Sequence, residues 1–325
     1  MHYFFLTKHR FASHLSVATI AAFLQCPAFF SSCSGKEAKN TEEAQIYIEW
    51  TKNPTPEALD LLFFYLDGAE KLDSYHQVIP SGGRMFGLSG KGARRLVVIS
   101  GRSGETAFWA DIINYGSLSK KTFLLSDEDP SCPRLYGETE IADEISRTVS
   151  LTLVPMIAGI RINSVSCDFS GRPYAGKTFF NKLSYLTYAG VEYRPLGADK
   201  GTVSRINGGA LDSTACLALP HPEMILKEGL GEVGIRKEFP DGTFYCYEGD
   251  RDTPVRLVLE GSVDSKTCYY PIELPEVKAG TLLSLDIVLR MIGTGDPDTP
   301  VEKGTVLLEG RVVPWEETGP EEICF

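Results

Sequence analysis

The sequence predicts an all-β protein built from β-sandwiches, and three observations support that fold class. Apolar and polar residues alternate with a period of two along most of the chain, which is typical of half-buried strands. Turn pairs such as Asp67-Gly68 and Asp241-Gly242 separate these runs. Helical spacing is confined to two short segments, residues 104–115 and 222–229. We therefore expect one or two short helices packed against the sheets.

The amino terminus has the features of an export signal. Lys8 and Arg10 precede an apolar stretch of signal length, and small residues follow it before Cys33. This order of charge, apolar stretch and small residues is typical of a secretory signal rather than a membrane span. The sequence therefore predicts a signal peptide over residues 1–32.

Cys33 is the predicted lipidation site. It directly follows Phe-Ser-Ser, which resembles the lipobox of bacterial lipoproteins, where cleavage before the cysteine leaves its thiol to carry a diacylglycerol. Cys26 is a weaker candidate because the Gln25 before it is not small. The alternative is an ordinary cleaved signal in which Cys33 has no role. A lipidated chain is anchored on a membrane without spanning it.

Residues 33–44 are polar and charged without apolar periodicity, which predicts a flexible tether. Removal of residues 1–32 takes away Lys8 and Arg10 and no acidic residue, so the net charge falls from −11 to −13. Such a surface repels phosphate backbones, and the chain has no basic stripe. Nucleic acid is therefore excluded as an expected partner.

The length of the mature chain predicts two domains, since some 290 residues exceed a single typical sandwich. Residues 137–148, GETEIADEISRT, are acidic and lack a strand pattern, and a new series of strands begins after them. We therefore expect an amino-terminal sandwich over residues 45–148 and a carboxyl-terminal sandwich over residues 149–325.

Individual strands are predicted from the same alternation, taken in chain order. Ile46, Ile48 and Trp50 form one face of the first strand. The alternation over residues 160–169 slips by one position near Asn163, which predicts a strand with a β-bulge. Residues 178–190 contain four aromatic residues and three Ser or Thr residues without a helical apolar stripe, which favours a strand. Two later strands are predicted, one in which Val255, Leu257 and Leu259 share a face and one in which Val306, Leu308 and Val312 lie opposite Glu309 and Arg311.

Residues 171–178, GRPYAGKT, match the phosphate-loop pattern G-x-x-x-x-G-K-[ST]. A phosphate loop needs a buried strand before it and a helix that opens at its lysine, because helix amides bind the phosphates. Here a half-exposed strand precedes the loop and a strand pattern follows Lys177. We interpret the segment as a connection between two strands and expect no nucleotide and no other cofactor.

Candidate catalytic and metal-binding groups are scarce. The mature chain has two histidines, His76 and His221, without ligand spacing, and it has no G-x-S-x-G sequence. The acidic pairs at 250/252 and 296/298 lie in turns beside proline and do not form a D-x-D-x-D-G loop. The cysteines show no CxxC pair, and the one disulfide suggested by the strand order joins Cys246 to Cys268. We therefore expect a protein that is not an enzyme.

The chain resembles the Bacteroidales fimbrillin superfamily of fimbrial subunits and anchors. The resemblance is carried by IYIEW and LDLLFFYLDG near the start, by residues 149–174 and LSYLTY in the middle, and by TFYCYEGD, VRLVLEGSVD and CYYPIEL further on. It is most specific at the carboxyl end, where GTGDPDTPVEKGTVLLEGRVVPWEE contains a G-x-x-D-P-D-x-P turn that leads to a strand closing on Val313, Pro314 and Trp315.

This resemblance implies two transthyretin-like β-sandwiches, lipoprotein export to the outer membrane or the cell surface, and a role in building or anchoring fimbriae. It further implies assembly with other subunits by strand exchange, in which a protease removes the first strand and a neighbour's carboxyl-terminal segment fills the vacancy. Lys39 and Lys52 flank that first strand, although no arginine lies between Cys33 and Arg84. The implied donor is the last strand, with Val306, Leu308, Val312 and Trp315, and the alternative is that this strand belongs to the internal core.

A second hypothesis is a surface lipoprotein that binds glycans or another ligand of host or bacterial surfaces and is not part of a fimbrium. Aromatic rings stack on sugar faces when they are exposed at the edge of a sandwich. The candidate rings are Trp109, Tyr185, Tyr188 and Tyr193.

Overall fold

The structure is a computed structural model that describes residues 44–49, 56–80, 86–88, 92, 94–101, 104–141, 148–171, 173–209, 222–249 and 252–315. These residues lie within one compact unit, Thr41–Phe325. They are mainly β, arranged in four sheets with two short α-helices, so the predicted all-β sandwich class is confirmed.

The first half of the chain contributes nine strands and one α-helix. The strands are β1 (Ala44–Glu49), β2 (Ala58–Tyr65), β3 (Leu72–Val78), β4 (Phe86–Leu88), β5 (Arg94–Gly101), β6 (Phe123–Leu124), β7 (Leu135–Ile141), β8 (Thr148–Thr152) and β9 (Val154–Pro155). The helix is α1 (Tyr115–Leu118), which lies between two 3₁₀ turns, Thr106–Trp109 and Leu125–Asp127.

The second half contributes eleven strands and a second α-helix, α2 (Pro222–Ile225). The strands are β10 (Ile157–Cys167), β11 (Phe179–Thr187), β12 (Gly190–Arg194), β13 (Gly201–Arg205), β14 (Leu226–Val233), β15 (Lys237–Glu238), β16 (Thr243–Tyr247), β17 (Arg256–Val263), β18 (Lys266–Glu273), β19 (Thr281–Leu289) and β20 (Val306–Pro314).

The first sandwich packs a three-stranded sheet, β4-β1-β8, on a five-stranded sheet, β3-β2-β5-β7-β9. Its core consists of apolar side chains that alternate along the strands, with Ile48 and Leu151 from the small sheet meeting Leu61 and Val98 from the large one. Because successive side chains of a strand point to opposite faces, only every second residue enters this core.

The other face of the five-stranded sheet is also buried. Leu62 and Phe64 on β2 contact a segment that carries Trp109, Ile112 and Tyr115. This double burial explains why seven of the eight residues of β2, ALDLLFFY, are buried and why all of these seven except Asp60 are apolar.

The second sandwich packs a four-stranded sheet, β14-β11-β17-β18, on an eight-stranded sheet whose main path is β13-β12-β16-β10-β19-β20. The predicted β-bulge in β10 is confirmed, because the pairing of β10 with β19 shifts between Ile162 and Ser164. A strand also follows Lys177 as predicted, since β11 begins at Phe179.

The two sandwiches share a junction. The short strand β6 belongs in sequence to the first half, but Leu124 and Phe123 pair with Glu192 and Tyr193 of β12 in the second. Strands β8 and β9 pair with β1 and β7 of the first sandwich, and β10 is the first strand of the second. The domain boundary near residue 148 stays a prediction, while the hydrogen bonding assigns residues 148–155 to the sheets of the first half.

Two local predictions are wrong. Residues 137–141 belong to strand β7, because Glu138 and Glu140 of the acidic run lie opposite Val97 and Arg95 of β5. Residues 104–115 do not form one helix. They form a 3₁₀ turn followed by an extended link to α1, with Trp109 and Ile112 buried and Ile113 70% exposed.

Candidate functional site

The predicted processing residues lie outside the described part of the chain. Cys33, Lys39 and Lys52 are not among the residues that the structure describes. Strand β1 lies between Lys39 and Lys52 in the sequence. The pairing of β1 therefore shows what cleavage at these lysines would affect.

Strand β1 is the central strand of its sheet. It pairs with β4 in an antiparallel ladder of three residue pairs and with β8 in a parallel ladder of five. Ile48 is 1% exposed and contributes to the first core. Loss of β1 would leave β4 and β8 with unpaired backbone groups and uncover the apolar side chains beneath them, which is the arrangement that accepts a foreign strand.

Strand β20 is the last strand of the eight-stranded sheet and pairs with β19 over nine residue pairs. Val306 and Leu308 are partly buried against the second core, whereas Val312 is 55% exposed. Trp315 is 6% exposed and its ring lies 5.9 Å from that of Tyr245. The four predicted donor residues are thus close along one strand, and that strand is paired within its own chain.

The other edges of the second sandwich are protected. The Lys237 ammonium donates to the carbonyls of Leu230 and Glu232 on β14. Thr294 forms a two-bond bridge to Tyr269 on β18. The pairing of β13 with β12 is interrupted by two register shifts. Within the described residues, β20 has no comparable protection, so it is the longest open edge of this sandwich.

The Asp-Pro-Asp turn before β20 has a structural role. The Asp298 carboxylate accepts a hydrogen bond from the Gly209 amide over 2.9 Å, and the Arg256 guanidinium donates to the Asp298 carbonyl over 3.1 Å. Asp296 accepts from the Thr299 hydroxyl over 2.8 Å. These bonds fix the connection from β19 to β20, and sequence reasoning identified the turn but not its partners.

The phosphate-loop match is a connection between β10 and β11. The Lys177 ammonium lies 2.8 Å from an Asp264 carboxylate oxygen, in the turn that joins β17 to β18. Strand β11 follows the loop, so no helix amides converge on Lys177. The loop therefore lacks the helix on which phosphate binding depends.

The predicted disulfide between Cys246 and Cys268 is wrong. The two residues lie on β16 and β18, in different sheets, and both are free thiols. Burial raises the pKa of the Cys246 thiol to about 12, so it stays protonated and unreactive at neutral pH.

Three of the four aromatic residues considered for glycan stacking are core residues. Trp109 is 7% exposed, and Tyr185 and Tyr193 are fully buried. The Arg256 guanidinium lies over the ring of Tyr188, with its central carbon 4.9 Å from the ring centroid. Trp109, Tyr185 and Tyr193 therefore do not present faces to a sugar, and Arg256 lies over one face of Tyr188.

The junction between the sandwiches contains a buried carboxyl group, Glu128, which sequence reasoning missed. Its side chain has no exposed surface and accepts hydrogen bonds from the Tyr247 hydroxyl over 3.1 Å and the Arg134 amide over 3.0 Å. Burial raises the pKa of Glu128, and the Arg134 guanidinium, 3.9 Å away, opposes this shift. A lone glutamate after a turn gives no sequence signal for burial.

The described residues also bear on metal binding and on membrane crossing. No group of three or more His, Cys, Asp or Glu side chains is arranged to hold a metal ion in the described ranges. Among those same residues, no helix has the length and apolar character that crossing a bilayer requires.

Comparison with known proteins gives matches at the level of structure. No family model matches the sequence, and no curated protein matches it. The structure is similar to a candidate cell adhesion protein from Bacteroides eggerthii, with a TM-score of 0.64 and 17% identity over 84% of this chain and 96% of that chain. A candidate cell adhesion protein from Parabacteroides distasonis gives a TM-score of 0.61, with 12% identity over 84% and 97% of the two chains.

A fimbrilin from Porphyromonas gingivalis is also similar, with a TM-score of 0.60 and 14% identity over 84% of this chain and 98% of that chain. At these identities the comparisons establish a shared fold. They confirm the sandwich architecture that the resemblance implied.

Proposed function

We propose that this chain, which shares the fold of the fimbrilin and the candidate cell adhesion proteins, is a non-enzymatic subunit of a surface fimbrium. In this proposal it is an exported lipoprotein, anchored through Cys33 in the outer membrane, and it acts as a structural subunit, an anchor or a fimbria-associated adhesin. Its partners are other fimbrial subunits.

We propose β-strand complementation as the mode of assembly. The observation that carries this proposal is the position of β1, which lies between β4 and β8 and closes the first core with Ile48. Cleavage at Lys39 or Lys52 would free or shorten the segment that holds β1. A strand from another copy would then regain the backbone hydrogen bonds of two edges and bury its own apolar side chains.

The donor in this proposal is β20. Its residues Val306, Leu308 and Val312 share a face and are only partly covered in their own chain, so β20 loses less buried apolar area on leaving than a central strand would. Trp315 follows the strand at its carboxyl end, where its ring lies 5.9 Å from that of Tyr245. If β20 is instead a permanent internal strand, the donor lies elsewhere.

Assembly is tested by trimming purified mature protein with a lysine-specific protease and measuring its mass by light scattering and its shape by electron microscopy. We expect multimers after cleavage and monomers when Lys39 and Lys52 are both replaced by Gln. Leu308→Arg should abolish multimers because it places a charge on the inserted face. The matched control is Val203→Arg, which charges an exposed apolar position on the bulged strand β13.

Two outcomes would overturn parts of this proposal. Trimmed protein that stays monomeric at every concentration would exclude strand complementation through the β1 vacancy. Multimers that form equally well with Leu308→Arg would show that β20 is not the donor.

The anchor is tested by replacing Cys33 with Ser. We expect the variant to lose its acyl chains by mass spectrometry and to leave the membrane fraction, since stable attachment needs the lipid. Cys26→Ser is the matched control and should remain lipidated. Lipid on the Cys33→Ser variant would contradict the assignment.

A further inference from the structure

The outward face of the eight-stranded sheet carries a row of polar residues across four adjacent strands. Strand pairing places Thr243 opposite Arg161, Arg161 opposite Ser284, and Ser284 opposite Arg311. Arg161 lies between Ile160 and Ile162, which are fully buried, so the row lies on the solvent side of the sheet. The two arginines are exposed and flank Ser284, which is 7% exposed and donates its hydroxyl to the Asn163 carboxamide oxygen over 3.0 Å.

The spacing of this row suits two-armed recognition of an anion. Neighbouring strands lie about 4.8 Å apart, so Arg161 and Arg311 are separated by roughly 10 Å at the backbone. Their long side chains can close that distance from both sides of Ser284. Within the described residues Arg161 donates only to the Thr243 hydroxyl, over 3.4 Å, and neither arginine is ion-paired there. Guanidinium groups bind carboxylate and sulfate through paired hydrogen bonds.

The next row of the same face supplies groups that recognise hydroxyls. Asp286 accepts hydrogen bonds from Ser164 and from the Asn163 amide and lies 3.5 Å from the Arg236 guanidinium. Glu309 lies opposite Asp286 on β20 and is exposed. These two carboxylates oppose the binding of a simple multivalent anion, but they accept hydrogen bonds from a ligand that combines one acidic group with several hydroxyls.

An aromatic ring borders the arginine row. Tyr245 lies on β16 two residues from Thr243, on the same face of the sheet, and is half-buried against Trp315. A half-exposed ring beside a guanidinium offers the apolar contact that a sugar ring uses, while the guanidinium holds the acidic substituent.

We propose that this face binds the acidic sugar unit of a glycan, with Arg161 and Arg311 holding its carboxylate or sulfate, Asp286 and Glu309 accepting from its hydroxyls, and Tyr245 contacting its ring. The whole chain has a net charge of −11, but this row contains two positive side chains, Arg161 and Arg311. These positive charges favour an acidic ligand over neutral saccharides. The site forms only when β20 is paired with β19 of the same chain, because Arg311 lies on β20. It does not require the chain to polymerise.

The site is tested on untrimmed monomeric protein by calorimetry with two matched ligand pairs. The pairs are sialyllactose against lactose, and a glucuronate-containing tetrasaccharide against its carboxyl-reduced form. We expect at least one acidic member to bind at least tenfold more tightly than its neutral partner, with an affinity that falls as salt is added. Arg161→Gln and Arg311→Gln should each weaken binding tenfold or more. Lys303→Gln, an exposed charge in the loop before β20, is the control and should leave affinity unchanged.

Melting curves of each variant show whether the fold is retained. Arg161→Lys keeps the positive charge and should bind the acidic ligand more tightly than Arg161→Gln does. Equal binding of the acidic and neutral members, or no binding by any of the four, would overturn the proposal. So would unchanged affinity in both arginine variants. Tighter binding of the acidic peptide EETGPEE, which follows Trp315 in this chain, would also overturn it in favour of a polypeptide ligand.

Discussion

Glu128 illustrates how a single residue couples the stability of this protein to pH. Its carboxyl group is enclosed between the segment before β7 and Tyr247 on β16, and burial is the main cause of its raised pKa. The charged groups nearest to it are Arg134, which favours the ionised form, and Asp127, which opposes it. The folded state therefore holds a proton on Glu128 at pH values where the unfolded chain, with an ordinary glutamate pKa of about 4.3, has released it.

We predict that Glu128→Gln removes a pH-dependent loss of stability. Between the unfolded and folded pKa values the folded state binds more protons, so the free energy of unfolding falls as pH rises. Glutamine has the shape of the protonated acid: its carbonyl oxygen can accept from the Arg134 amide, and its NH2 group can donate to the Tyr247 hydroxyl oxygen. Chemical denaturation from pH 4 to pH 8 measures this. The free energy of unfolding of the variant should rise relative to that of the wild type as pH increases. Glu302→Gln, at an exposed position, is the control. A difference in the free energy of unfolding between Glu128→Gln and the wild type that does not change with pH would contradict the prediction.

At the residue scale, the sequence predicted which strand positions are apolar better than which polar groups are buried. Ile48 and Leu308 were placed on the correct faces because alternation is a local property. The burial of Glu128, and of Tyr193 with its hydroxyl bound to Glu248, depends on which distant strands meet, and no local pattern encodes that. The arginine row arises in the same way, because Arg161 on β10 is brought beside the distant strands β19 and β20.

At the scale of elements, bulges are fixed by side chains as well as by register. Asn181 is 1% exposed at a register shift of β11 toward both of its neighbouring strands. Its amide donates to the carbonyls of Leu183 over 3.0 Å and Glu260 over 3.2 Å, and its carbonyl oxygen accepts from the Leu230 amide over 2.8 Å. One side chain therefore satisfies the backbone groups that the bulge leaves unpaired.

We predict that Asn181→Ala destabilises the protein by about 3 kcal/mol, because a buried backbone group left without its partner costs about 1–3 kcal/mol. The measurement is the free energy of unfolding in urea. Lys266→Ala, at an exposed position of β18, should change it by less than about 0.5 kcal/mol. A loss at Asn181 no larger than that of the control would show that the bulge does not depend on its side chain.

Strands and bulges were predicted correctly where the alternation of apolar and polar residues is strong. They were missed where contacts with distant residues determine the local structure. The bulge of β10 was predicted at Asn163 because the alternation slips there. Strand β7 was missed because its acidic residues hide the alternation, although Glu140 lies within 3.2 Å of Arg95 on the neighbouring strand. The helix predicted from residue 104 fails because the backbone at Asn114 is extended, and the Asn114 side chain caps α1 instead.

At the scale of the whole molecule, the architecture around residues 171–178 differs from the one that a phosphate loop needs. We predict that ATP with magnesium does not raise the melting temperature, since a ligand stabilises only the protein that binds it. Lys177 is paired with Asp264 between two strands, without a helix beside it. Scanning calorimetry with and without ATP measures this, and Lys177→Ala should behave like the wild type. A rise of several degrees that Lys177→Ala abolishes would contradict the prediction.

The parallel ladder between β1 and β8 has a consequence for the order of folding. Gln45 pairs with Thr148, so a chain that emerges amino terminus first cannot pair β1 with β8 until the segment through residue 152 has also emerged. The strand that closes the first sandwich is thus among the last to dock. We expect the amides of β1 to exchange with solvent sooner than those of β2, which hydrogen exchange measures directly.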